Sequence, residues 1–145
     1  MNKIRAYMSM PIRGKSGNNA TSQEIEYNRQ KGIVTSKILS ICIPNLDIYC
    51  PGEHDEFTQA ALYDHYLTLE DVLNIDCKML HKRDLLIVYD WQNFWSHGMI
   101  KEIVYAGTYK IKQYFFSSLC TKVVDELGVI VDEILNEKKG IVENG

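Results

Sequence analysis

No apolar run in this 145-residue chain approaches the roughly 20 residues of a membrane span, although apolar residues make up 46% of it. The opening segment, MNKIRAYMSM, has neither the long apolar stretch nor the cleavage site of a secretory signal. The expected compartment is therefore the cytoplasm, with no membrane partner. Basic runs are missing as well, and the net charge is −3, which argues against a nucleic-acid polymer as partner. The four cysteines, Cys42, Cys50, Cys77 and Cys120, show no CxxC spacing. Three lie in apolar segments, so buried free thiols are expected rather than a disulfide or a zinc site. Neither a metal nor a cofactor is expected. Repeats, low-complexity tracts and linkers are lacking too, and the length suits one domain over residues 1–145.

What is present is an alternation of strand-like and helix-like segments. Residues 3–10 read as a strand that ends at Pro11, followed by a polar, flexible loop over 12–19. Thr21-Ser22-Gln23-Glu24 has the form of a capping box and opens a helix to about Leu39, along which Tyr27, Val34 and Ile38 recur at helical spacing. A short strand over 46–50 is stopped by Pro51-Gly52, and 53–66 reads as a mobile loop with a short helix. Thr68 caps a helix reaching His81 or Lys82. Leu85-Leu86-Ile87-Val88-Tyr89 is a continuous apolar run, as in a strand covered on both faces. An aromatic turn over 90–97, a helix over 98–108, a strand near 113–116 and a last helix from Leu119 to Lys138, ended by Gly140, complete the chain. The expected fold is α/β: a doubly wound, mostly parallel sheet of four or five strands in a flavodoxin/Rossmann-like three-layer sandwich.

Ligands of such folds bind where strands hand over to helix starts. Asp76 falls near the centre of a helix face made by Leu69, Val72, Leu73, Met79 and Leu80. A carboxylate there is costly unless it is paired or works at a site. Asp84, at the next turn, reads as structural. Ser96 and Gly98 open the helix after the third strand, and Glu102 lies one turn inside it. Arg13 can clamp a phosphate from the first loop or simply face solvent. Gly14-Lys15-Ser16 is not a phosphate-binding P-loop, because that motif needs glycine where Ser9 stands. Trp91, Phe94 and Trp95 could sandwich a nucleobase, line a dimer contact or cover the core. His54 sits among acids but fits no metal spacing, and reads as a loop residue near the base.

Together these residues resemble the nucleoside 2-deoxyribosyltransferase-like superfamily, in particular its branch of 2'-deoxynucleoside 5'-phosphate N-hydrolases. The resemblance covers about residues 3–116. It rests on Tyr-x-Ser-x-Pro-Ile-Arg-Gly at 7–14, on Asp76 eight residues before Asp84, and on Ser-x-Gly-x-x-x-Glu at 96–102. It implies that Glu102 is the nucleophile, that Asp76 assists at the base or sugar, and that Tyr7 lines the sugar pocket. It further implies that Arg13, Gly14 and Ser96 hold the 5'-phosphate, with Ser9, Pro11, Ile12 and Gly98 from the same motifs around the substrate. Asp90 and Trp95 of the aromatic turn are added to that set. So is Ser117, because some relatives take a phosphate-binding serine from a neighbouring subunit, and a homodimer or higher homo-oligomer is expected accordingly. Trp95 stands where the true deoxyribosyltransferases carry Asp, which favours nucleotide hydrolysis over base exchange. The competing readings are base exchange, a protein that binds a nucleotide intact, and a protein–protein module.

Overall fold

Successive residues of a strand point to opposite sides of a sheet, and in this chain both sides are apolar. The computed structural model describes residues 2–144. Its strands are β1 (Ile4–Ser9), β2 (Leu46–Tyr49), β3 (Leu85–Tyr89) and β4 (Lys112–Phe116). They form one all-parallel sheet in the order β2-β1-β3-β4. The helices are α1 (Ser22–Cys42), α2 (Asp55–Tyr63), α3 (Leu69–His81), α4 (His97–Thr108) and α5 (Thr121–Asn144), with 3-10 segments at Gly14–Asn19, kinked at Gly17, and at Pro51–His54.

Ile4, Ala6, Met8, Leu85 and Ile87 point to one side, where they pack with Ile33 and Leu39 of α1 and with Val123, Leu127, Val131 and Ile134 of α5. Tyr7, Leu86 and Val88 point to the other, against Leu80 of α3 and Met99 and Ala106 of α4. This is the expected three-layer, doubly wound α/β sandwich, with four strands. β3 is buried along its whole length, as its unbroken apolar run requires. Both threonine caps form full capping boxes, Thr21 with Glu24 and Thr68 with Asp71.

Three local expectations are corrected. The segment after β1, expected as a flexible loop over 12–19, holds two short 3-10 pieces within Gly14–Asn19 that meet at a kink at Gly17. Tyr27 and Val34 of α1 are exposed, at 63% and 50%, and the buried face is instead Asn28, Gly32, Ile33, Thr35, Ser36 and Leu39. That face is small because α1 lies close over Met10: a Cβ on Gly32 would meet the Met10 sulfur at 2.3 Å. Helix α5 also runs through Gly140 to Asn144, since one helical glycine costs only about 1 kcal/mol and adjacent turns carry it. All four cysteines are free, with Cys50 and Cys77 buried and Cys42 and Cys120 exposed. No described helix is long and apolar enough to cross a membrane.

Asp84 is structural. Its Oδ2 accepts the Arg5 N–H at 2.9 Å, and its Oδ1 pairs with Lys138 Nζ at 2.8 Å, which ties the start of β3 to β1 and to α5. Asp84→Ala should therefore cost about 1–3 kcal/mol in chemical denaturation. Asp84→Asn, which keeps an acceptor for the amide, should cost less.

Candidate active site

Chain order moves outward from β1 to β2 on one side and to β3 on the other, so the sheet's switch point lies between β1 and β3. Crevices at the carboxyl ends of strands form there. A cavity of about 280 Å³ occupies this place, with Tyr7, Arg13, Tyr49, Asp76, Ser96 and Glu102 in its wall.

Strand alternation brings its polar floor together. Tyr7 and Ser9 point to the same side of β1, toward α3 and α4. Ser9, fully buried, donates its hydroxyl to Glu102 Oε1 at 2.8 Å. Glu102 is only 6% exposed. Burial pushes its pKa up to about 8, with a smaller upward push from the charge of Asp76, while the Ser9 hydrogen bond pulls it down. Asp76 reaches the cavity from α3, and burial raises it to about 6. Burial, then the negative charge of Glu102 and Asp76, holds the Tyr7 phenol well above its ordinary 10.0, so it stays a neutral donor. Its hydroxyl makes no hydrogen bond of ordinary geometry among the described residues, yet it lies close enough to both carboxyls to offset part of their upward shifts. A ligand oxygen is the missing partner its position suits.

The two acid-bearing helices are held in register from outside. Lys101 Nζ bonds Glu70 Oε1 at 2.6 Å and Asn74 Oδ1 at 2.9 Å, linking α4 to α3. The α3 face expected to be core divides in two. Leu80 is core, whereas Leu69, Val72 and Leu73 line the cavity beside Asp76. Asp76 is therefore a cavity carboxyl rather than a buried structural acid.

The rim carries the anion-binding features. Ser96 caps α4, accepting the Met99 N–H at 3.2 Å and keeping its own proton free to donate. The amides of His97 and Gly98 come next at the helix start, where the dipole favours negative charge. Arg13 faces the same cavity and among the described residues its side chain bonds only Asn18 Oδ1, at 3.2 Å. Gly14, at φ +62°, makes the turn that brings Arg13 there; a Cβ on it would meet Gln92 Oε1 at 2.8 Å.

Tyr7, Ile12, Arg13, Gly14, Asp76, Ser96, Gly98 and Glu102 thus line one cavity, as the motifs imply. Ser9 lies behind Glu102, and buried Pro11 shapes the turn by accepting the Gly14 N–H at 3.2 Å. Asp90, Trp95 and Ser117 are not brought to the cavity. Ser117 donates to Asp90 Oδ1 at 2.6 Å and the Trp95 indole donates to Asp90 Oδ2 at 3.1 Å, bracing the turn after β3. Trp95 packs on Phe115 at 5.7 Å, and Trp91 covers the core beside Tyr89 at 4.8 Å, which leaves Phe94 as the one cavity aromatic of that turn.

The opposite wall, His54 apart, went unassigned in the sequence. Tyr49, Pro51, His54, Asp55, Thr58, Gln59 and Leu62 come from the end of β2, the 3-10 turn after it and α2. Tyr7 stacks on Tyr49 at 5.6 Å, and Tyr49 on His54 at 4.9 Å. The available signal was Pro51-Gly52: it ends a parallel strand neighbouring β1, so the next segment shares the same rim. Among the described residues no cluster of three His, Cys, Asp or Glu side chains suits a metal ion.

Fold and site together define a parallel α/β protein with two carboxyl groups facing one small cavity at the sheet's switch point. No family model, curated protein or solved structure matches the chain.

Proposed function

We propose that the protein hydrolyses the N-glycosidic bond of a nucleoside or deoxynucleoside 5'-monophosphate, releasing the free base and the sugar 5-phosphate, as do the nucleotide N-glycosidases it resembles. The observation that carries this reading is the convergence of Glu102 and Asp76 below a cavity whose rim offers Arg13 and the start of α4. At about 280 Å³ the cavity is close to the lower end of the usual small-molecule range of about 300–1,000 Å³. Cleavage builds positive charge at the anomeric carbon, which a carboxylate stabilises or attacks. Glu102 attacks that carbon and a proton passes to the departing base, giving a glycosyl ester. Water then breaks the ester and regenerates the Glu102 carboxylate. Tyr7 and the stacked Tyr49 and His54 supply the walls for sugar and base.

Incubation with a panel of nucleoside monophosphates, read by chromatography for free base, tests the reading. Release from at least one of them is expected. One observation favours a second reading, a protein that binds its nucleotide intact: with a pKa of about 8, Glu102 at neutral pH is mostly a neutral donor. That reading predicts a thermal shift with no base released. Adding a second free base to the same assay separates hydrolysis from base exchange.

Arg13→Ala should raise KM for the cleaved monophosphate by about 10–100-fold, the worth of a charge-assisted contact to phosphate. The corresponding nucleoside, which has no phosphate to lose, should be cleaved equally by both proteins. A parallel loss on the nucleoside would remove Arg13 from the phosphate site.

A further inference from the structure

Behind Arg13 lies a second cavity, of about 270 Å³, that the monophosphate reading leaves unused. Arg13, Lys15, Ser16, Glu24, Asn28 and Gln92 are in its wall. Arg13 borders both cavities, so the two spaces share its wall.

The wall carries two cations against one carboxylate, a net positive charge. Neither Arg13 nor Lys15 pairs with a carboxylate among the described residues. The one acid there, Glu24, is already engaged on both oxygens, by Ser16 Oγ at 3.1 Å and by the Thr21 N–H at 2.7 Å. The turn that carries the two cations is braced from two sides. Asn28, 3% exposed, donates to the Ile12 carbonyl at 2.9 Å, and Gln92 Oε1 accepts the Lys15 N–H at 2.9 Å. Arg13 and Lys15 are thus attached to a fixed backbone, which lowers the entropy lost when they close on an anion.

We propose that this second cavity receives a further phosphoryl group attached to the 5'-phosphate, so that the protein takes nucleoside diphosphates in preference to monophosphates. The inference rests on the reading of Arg13 as the clamp on the 5'-phosphate. Whatever that phosphate bears on its far side extends past Arg13, and the space there has a net positive wall and is wide enough for a phosphoryl group. Lys15 holds the second group and has no part in binding the first.

Titration calorimetry with the mono- and diphosphate of one nucleoside tests it, using the full chain and its Lys15→Ala variant. Wild type is expected to bind the diphosphate roughly tenfold more tightly, and Lys15→Ala to bind both equally, with its monophosphate affinity unchanged. Monophosphate titrated in the presence of inorganic phosphate separates an attached group from a free one, and no gain is expected there. Equal or weaker binding of the diphosphate by wild type, or a preference that survives Lys15→Ala, overturns the proposal. The parent reading fails separately. If no nucleotide loses its base but the diphosphate preference appears and depends on Lys15, the second site stands without the glycosidase. Monophosphate cleaved and diphosphate rejected sinks the second site alone.

Discussion

Glu102→Gln should lower base release by about 10³-fold or more while making the folded protein more stable. The activity loss arises because an amide cannot attack the anomeric carbon. The gain in stability comes from linkage. An unfolded Glu titrates at its ordinary 4.5 and the folded one at about 8, so the folded state holds this proton more tightly. Stability from this group is complete below pH 4.5 and is lost at about 1.4 kcal/mol per pH unit as pH rises toward about 8. The glutamine amide carries no titrating proton, so the variant lacks that decline. Thermal melts of the two proteins should nearly coincide near pH 5 and separate progressively up to pH 8, the variant melting higher. A Glu102→Gln protein with normal turnover, or one less stable at pH 8, contradicts the role given to this side chain.

Asp76→Asn should change the form of the pH–rate profile as well as its height. In the proposed reaction the two carboxyls act together and titrate as a pair, with apparent values of about 6 and about 8. One proton must be shared between them, so kcat/KM for wild type should be bell-shaped, with limbs near those values and a maximum between. Within that window the proton resides mostly on Glu102. The productive arrangement, Glu102 ionised and Asp76 protonated, is then the minority form of the singly protonated pair. Asn at 76 removes the acid that donates to the base, lowering the rate by about 10²–10⁴-fold. It also removes the alkaline limb, leaving activity that rises with pH until Glu102 is ionised. Because the Asp76 charge helps to raise Glu102, that rise should fall somewhat lower on the pH scale. A bell that persists in Asp76→Asn would assign the second ionisation to another group.

Legibility in the sequence depended on whether a signal was local. The Thr21 capping box, the Thr68 cap and the apolar run of β3 are decided within a few residues, and the structure matches them. The carboxyl pair was legible because helical spacing placed Asp76 on an apolar face, and because motif order carried Glu102. The buried face of α1 was not. It is made of Asn28, Gly32, Thr35 and Ser36 as much as of Ile33 and Leu39, with Met10 leaving no room for a side chain at Gly32, while Tyr27, Val34 and Ile38 face outward. Trp95 shows a second kind of failure: a tertiary contact with Phe115 and a hydrogen bond to Asp90 draw it away from the cavity. Phe115 lies outside the 90–97 stretch, and nothing in that stretch encodes the contact with it. The wall from β2 and α2 lay between these cases, readable only once the order β2-β1-β3-β4 is known.

The most direct measurement is mass spectrometry on protein quenched during turnover of its monophosphate, with an analogue fluorinated at C2' used to slow release of the sugar. A sugar phosphate bound covalently to the peptide that contains Glu102, and absent from Glu102→Gln, is the predicted result. An adduct on any other residue, or free base accumulating at an undiminished rate from the Gln variant, would contradict it.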